Sequence, residues 1–145
     1  MAGIRRLTKG TISEIDEGSI SISDHMKELK IEKGTRMLLI SSKSNFIRVI
    51  PIGEGIPSLL RVSLSLNLFA KSAKVLYTHI KDEGLNIIHS TGFCPLEEYC
   101  VWEGYFLLSS SDELSHLIDW FNKQEGVLNT EVESLQEQPD ESLKW

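Results

Sequence analysis

The stretch Arg61-Val62-Ser63-Leu64-Ser65-Leu66-Asn67-Leu68 decides the fold. Val62, Leu64, Leu66 and Leu68 alternate with polar residues, the period-two pattern of a strand with one buried face. Phe69 to Gly84 follows with Ala73, Leu76, Tyr77 and Ile80 at helical spacing, and Gly84 supplies the stop. Leu85–Thr91 reads as a second strand, and Cys100–Leu108 as a third after a connection holding Gly92 and Pro95. Ser111 or Asp112 caps a second helix with Leu114, Leu117, Ile118 and Phe121 inward. Gly126 ends it before a last strand, Val127–Val132. The order strand, helix, strand, strand, helix, strand is that of an α+β sandwich.

The first 60 residues are left to form something separate. Ser19-Ile20-Ser21-Ile22-Ser23 alternates strictly and reads as a strand, and a weaker one spans Ile4 to Ile15. Ser23 or Asp24 is placed to cap a short helix over His25–Leu29, closed by a turn at Lys33-Gly34. Arg36–Ile40 and Phe46–Ile50 then make a hairpin around Ser41–Asn45. The chain divides into a first module at 1–53, a linker at 54–60 marked by Gly55 and Pro57, a second domain at 61–135 and an acidic tail at 136–145.

Charge separates the halves. Residues 1–60 hold nine Lys/Arg and seven Asp/Glu, and the remainder holds six and fourteen, so a net −6 splits into +2 and −8. Only the first half suits a polyanion. The hydrophobic fraction of 41% and charged fraction of 25% are those of a globular domain, and no apolar run is long enough to cross a bilayer. Without a secretory signal pattern after Met1, the expected location is the cytoplasm. Cys94 and Cys100 are then expected as free thiols, since their spacing fits no zinc motif and a reducing cytosol rarely keeps disulfides.

No catalytic chemistry is readable. The four histidines lack metal-ligand spacing, Ser109–Ser111 is a helix lead-in, and no glycine-rich phosphate loop is present. The expectation is no enzyme, no cofactor and no metal.

Two resemblances carry further expectations. The run Ser19 to Met37, with Leu29, Ile31 and Gly34 at fixed positions, resembles the swapped-hairpin module of AbrB and SpoVT-like transcription factors. That resemblance implies a homodimer or higher homo-oligomer with a shared β-barrel, touching DNA through Arg5, Arg6, Lys9 and Lys27. Met26 and Thr35 depart from the family's pattern. The dimer is also expected on size, because about fifty residues bury little apolar area alone. Arg61 to Leu135, through Ala73-Lys74-Val75-Leu76, Glu83–Ile87 and Glu125-Gly126-Val127, resembles the ferredoxin-like ACT domain. This implies a small-molecule effector, an amino acid among the candidates, held by Asn67, Phe69, Ala70 and Ser72 at the helix start and by Asn86 and Ile88 opposite. The family's proline and glycine at that loop are absent. The composite reading is a ligand-sensing transcriptional regulator. Its alternatives are a metabolic binding protein in which both domains serve oligomerisation, and an antitoxin.

Overall fold

The computed structural model describes residues 11–95 and 98–135, and the chain divides into two compact units at Gly53/Glu54. Each unit is described by itself.

In the first unit, Asp16 and Ser19 exchange both backbone hydrogen bonds (2.9 and 3.0 Å) around Glu17 and Gly18, which have positive φ. Ile22 then offers its carbonyl to Met26 N–H at 3.0 Å, and helix α1 runs Ser23–Glu28. The Ser19–Ser23 alternation is therefore not a strand. A tight turn consumes its first residue and a helix takes its last. Nor does Ser23 or Asp24 cap the helix, because both lie inside it and Ile22 holds the N-cap position without a side-chain bond. Strands β1 (Arg36–Ser42) and β2 (Phe46–Ile52) pair antiparallel from Arg36↔Ile52 to Ser42↔Phe46. Asn45, at φ +60°, makes the reversal. Leu38 and Ile40 are buried on one face of this hairpin, whereas Leu39, Ile47 and Val49 stand 64%, 70% and 38% exposed on the other. Among the described residues the sheet has these two strands alone, and a closed barrel is not shown. The expected first strand lies outside the described residues up to Gly10, and positions 11–15 have no regular structure.

The second unit is a four-stranded antiparallel sheet in the order β4-β5-β3-β6, with β3 Ile56–Ser65, β4 Ile87–Phe93, β5 Tyr99–Leu108 and β6 Val127–Ser134. Helices α2 (Phe69–Asp82) and α3 (Ser111–Asn122) supply the βαββαβ order. The expected linker ends at Gly55, since Ile56–Leu60 already belongs to β3. Both edge strands carry an irregularity. Ile88 is the extra residue in β4 between the pairs Ile87↔Phe106 and His89↔Tyr105, and Leu128 is the extra residue in β6.

One core fills the space between sheet and helices. Leu60, Val62 and Leu64 of β3 and Trp102, Phe106 and Leu108 of β5 meet Leu76 and Ile80 of α2 and Leu117 and Phe121 of α3. The helices bury residues four apart, the spacing that keeps one stripe on one face. α3 starts from Ser110, not from Ser111 or Asp112 as expected, and Glu113 reaches back to the Ser109 N–H at 2.8 Å. That carboxylate satisfies a donor the helix cannot.

One core atom is out of place. Ser58 Oγ is fully buried without a hydrogen-bond partner. A buried hydroxyl left unpaired costs about 1–3 kcal/mol. Ser58→Ala is expected to leave stability unchanged or raise it by about 1 kcal/mol, read from the urea midpoint. A fall of that size would mean the hydroxyl has a partner.

Candidate functional site

The end of the second unit where β3 passes into α2 gathers four segments. Leu66–Leu68 forms a 3₁₀ turn leading directly into α2. Ser65 N–H donates to Gly126 carbonyl at 2.7 Å, Ser72 Oγ donates to Glu125 carbonyl at 3.0 Å, and Lys71 Nζ meets Glu125 Oε2 at 2.9 Å. The Glu125-Gly126 turn thus sits against the first turn of the helix. Gly126 is required there: its φ is +86°, and a Cβ would lie 2.6 Å from Ser72 Oγ and 3.0 Å from Leu68 Cβ. From the other side the β4–β5 connection closes in, where Glu98 carbonyl accepts from Leu66 N–H at 3.4 Å and Gly92 approaches Phe69 Cζ.

That connection overturns the expectation of free thiols. Cys94 and Cys100 form a disulfide, with Cα atoms 4.0 Å apart. The reason is topological. β4 and β5 are hydrogen-bonded neighbours ending at Phe93↔Val101, so the next residue of one strand and the preceding residue of the other face each other. Spacing alone does not reveal this. Disulfides persist in oxidising compartments and are rare or transient in a reducing cytosol.

The sequence-derived ligand residues fall into two groups. Asn67 and Ala70 are exposed and Phe69 half-buried at the helix start, so the structure brings these three together. Ser72 is there as well, but it is buried and its hydroxyl is already committed to Glu125. Asn86 and Ile88 are elsewhere. They follow the far end of α2, about 20 Å from its start at 1.5 Å per residue. Asn86 lends its carbonyl to Leu107 N–H at 2.9 Å, and Ile88 is the bulge residue of β4. β4 begins where α2 ends, so only its last residues, Gly92 and Phe93, come level with Asn67. Glu125, Gly126 and Glu98 complete this end and are not among the residues the sequence points to as ligand contacts. The turn at Gly126 is visible in the sequence, but its seat on α2 is not. Of the expected DNA contacts, Lys27 is exposed on α1, and Arg5, Arg6 and Lys9 lie outside the described residues.

A second polar cluster occupies the sheet face away from the helices. Arg61 Nε donates to Glu103 Oε1 at 2.9 Å and Nη1 to Glu131 Oε2 at 3.3 Å, across adjacent strands. Leu59, Arg61, Glu131, Val132 and Glu133 line a shallow cavity of about 210 Å³ beside them. The Glu103 hydrogen bond holds the Arg61 guanidinium above its ordinary pKa, against the opposing effect of burial. Burial, and then the Glu103 and Glu133 carboxylates, push the Tyr105 phenol above its usual value of 10.0. The sign follows. The unfolded tyrosine loses its proton near pH 10 while the folded one keeps it, so this contribution to stability is intact below pH 10 and fades as pH rises through the higher folded value. Tyr105→Phe is expected to flatten the alkaline fall in stability above pH 10, read from melting temperatures of both proteins across pH 9–11. Parallel curves would contradict it.

No three-residue cluster suited to a metal occurs among the described residues. No helix of the described residues is long and apolar enough to cross a membrane. The polar groups at the α2 start are an amide, an occupied hydroxyl, an exposed ion pair and backbone atoms.

Similarity to solved structures is confined to the fold. The C-terminal domain of the MgtC protein from Mycobacterium tuberculosis aligns over 62% of this chain and 99% of its own length, at 13% identity and a TM-score of 0.52. The second unit is ferredoxin-like. The ACT domain from GTP pyrophosphokinase of Chlorobium tepidum aligns over 55% of this chain and 99% of its own, at 16% identity and a TM-score of 0.47. No protein-family model and no curated protein matches the sequence.

Proposed function

We propose that this chain is a regulatory protein, not an enzyme, whose ferredoxin-like unit senses a small molecule while the first unit joins two copies. The observation carrying the sensing half is the end of the sandwich at Asn67, Phe69 and Ala70, where a helix start meets the Glu125-Gly126 turn and the Glu98 carbonyl. The sequence resemblance of Arg61–Leu135 to ACT domains points the same way, and an amino acid is the first ligand class to try. A thermal-shift screen of amino acids tests it, because a ligand at a hundred times its Kd stabilises the native state by about 2.7 kcal/mol. A panel with no shift at millimolar concentration would discard amino acids as the effector class.

The pairing half rests on the hairpin. Two strands with Leu39, Ile47 and Val49 exposed on one face are marginal as an isolated unit. A second copy laid on that face would cover them. Light scattering across a dilution series measures the outcome, and a monomer at every concentration would remove it.

The finer reading, a transcriptional regulator binding DNA through Arg5, Arg6, Lys9 and Lys27, draws on the charge split of +2 against −8 and on the AbrB-like pattern of Ser19–Met37. Phosphate contacts of this kind weaken steeply as salt rises. Electrophoretic titration on genomic fragments at low and moderate salt tests it. No retained complex at low salt would leave the non-DNA-binding alternative, in which both units serve assembly and ligand binding.

A further inference from the structure

The sequence contains two cysteines and the structure joins them, six positions apart. A crosslink closing so short a loop removes little chain entropy compared with one spanning a domain. Neither half of the bridge belongs to the ten-residue cluster between sheet and helices, although Cys100 is itself fully buried. The bridge's position is more telling than its size. Cys94 is exposed at the end of β4, whereas Cys100 is fully buried in β5, opposite Leu64 of β3. One half of the bridge is therefore anchored in the sheet and the other belongs to an exposed residue, the side from which a thiolate would approach. Within the same loop, Glu98 carbonyl takes the Leu66 N–H at 3.4 Å, the long end of hydrogen bonding, and Leu66 begins the turn that leads into α2.

We propose that Cys94–Cys100 is a reversible thiol–disulfide latch that fixes the entrance to α2, whatever that end binds. The reductant is a dithiol, or two monothiols in succession. Its thiolate attacks the Cys94 sulfur, the Cys94–Cys100 bond breaks, and Cys100 leaves as a thiolate that takes a proton. The second reductant sulfur then displaces Cys94, which is protonated in turn. Two electrons pass to the bridge and the reductant leaves as its own disulfide. The connection between β4 and β5 loses its covalent tie, Glu98 is released from Leu66, and the 66–68 turn loosens while the core stays folded.

The test uses the full chain purified without reductant, before and after dithiothreitol, with iodoacetamide labelling carried out in denaturant and intact mass reporting the thiol count. Hydrogen exchange reports the latch. Reduction is expected to add two labels and to speed exchange at Leu66 and across 98–101 by about tenfold or more, local opening being cheaper than global unfolding. Exchange in the core of α3 stays fixed, and removing the reductant in air restores the original rates. Cys94→Ser, which alters the exposed partner alone, should show the fast rates with or without reductant. Two labels before any reductant, or equal exchange rates in both states, would overturn the proposal. So would cooperative unfolding on reduction, which would make the bridge a structural staple.

Discussion

Gly104→Ala will destabilise the second unit by about 3 kcal/mol, the upper range for forcing atoms into a filled core. Gly104 lies in β5 between Trp102 and Phe106, whose side chains share its face and close over its Cα. An added methyl group would overlap Trp102 Cη2 and stand 2.8 Å from Phe106 Cε2 and 2.9 Å from Trp102 Cζ3. Neither ring can yield easily. The Trp102 indole donates to Tyr77 OH at 3.1 Å and meets the Tyr77 ring edge-on at 5.9 Å, and Tyr77 OH is within 2.8 Å of Ser90 Oγ. Phe106 has no exposed surface into which it could turn. For a domain of this size the loss corresponds to a fall in melting temperature of about 12 °C or more. Circular dichroism melts check it, and an unchanged midpoint would mean that the two rings do not occupy the space above the glycine.

Phe121→Ala is expected to cost about 3–5 kcal/mol, the usual range for emptying a buried phenylalanine site. Phe121 is fully buried on α3 and packs edge-on against Trp102 at 6.3 Å and its neighbour Trp120 at 5.4 Å. Trp120 is itself stacked on His79 of α2 at 3.6 Å, so Phe121 supports the contact between the two helices as well as the helix–sheet layer. Tryptophan fluorescence and the urea midpoint should move together. Loss of less than about 1 kcal/mol would show that neighbouring side chains collapse into the gap.

Much of the sandwich could be read from the chain because its signals are local. The alternation from Val62 to Leu64 names the core face of β3, and the four-residue steps Leu76–Ile80 and Leu117–Phe121 name the inner faces of both helices. The start of β3 is not legible in the chain because Pro57, following Gly53 and Gly55, reads as a break. In the sheet, Pro57 lies near the first residue of the strand, where its missing N–H is tolerated and its carbonyl still accepts from Leu135 N–H at 3.3 Å. Ser19–Ser23 misled for the opposite reason: five residues alternate, yet a reverse turn and a helix share them. At the candidate site, Asn67, Phe69 and Ala70 follow from finding the helix start. Asn86 and Ile88 do not belong with them, since the return from a 14-residue helix brings the chain back at the opposite end of the sheet. The disulfide depends on which strands lie side by side, and the two cysteines say nothing about that by themselves.

The extra residues in β4 and β6 bear on how the protein behaves when concentrated. A bulge bends and twists its strand and interrupts the regular row of hydrogen-bonding groups along it. Because Ile88 and Leu128 fall on the two outermost strands, neither rim of the four-stranded sheet offers a straight rail on which another molecule could extend it. The β1–β2 ribbon pairs in continuous register and has no such protection. If the protein forms fibrils on storage, they should nucleate from residues 36–52, and a lysine placed at Ile47 should delay them.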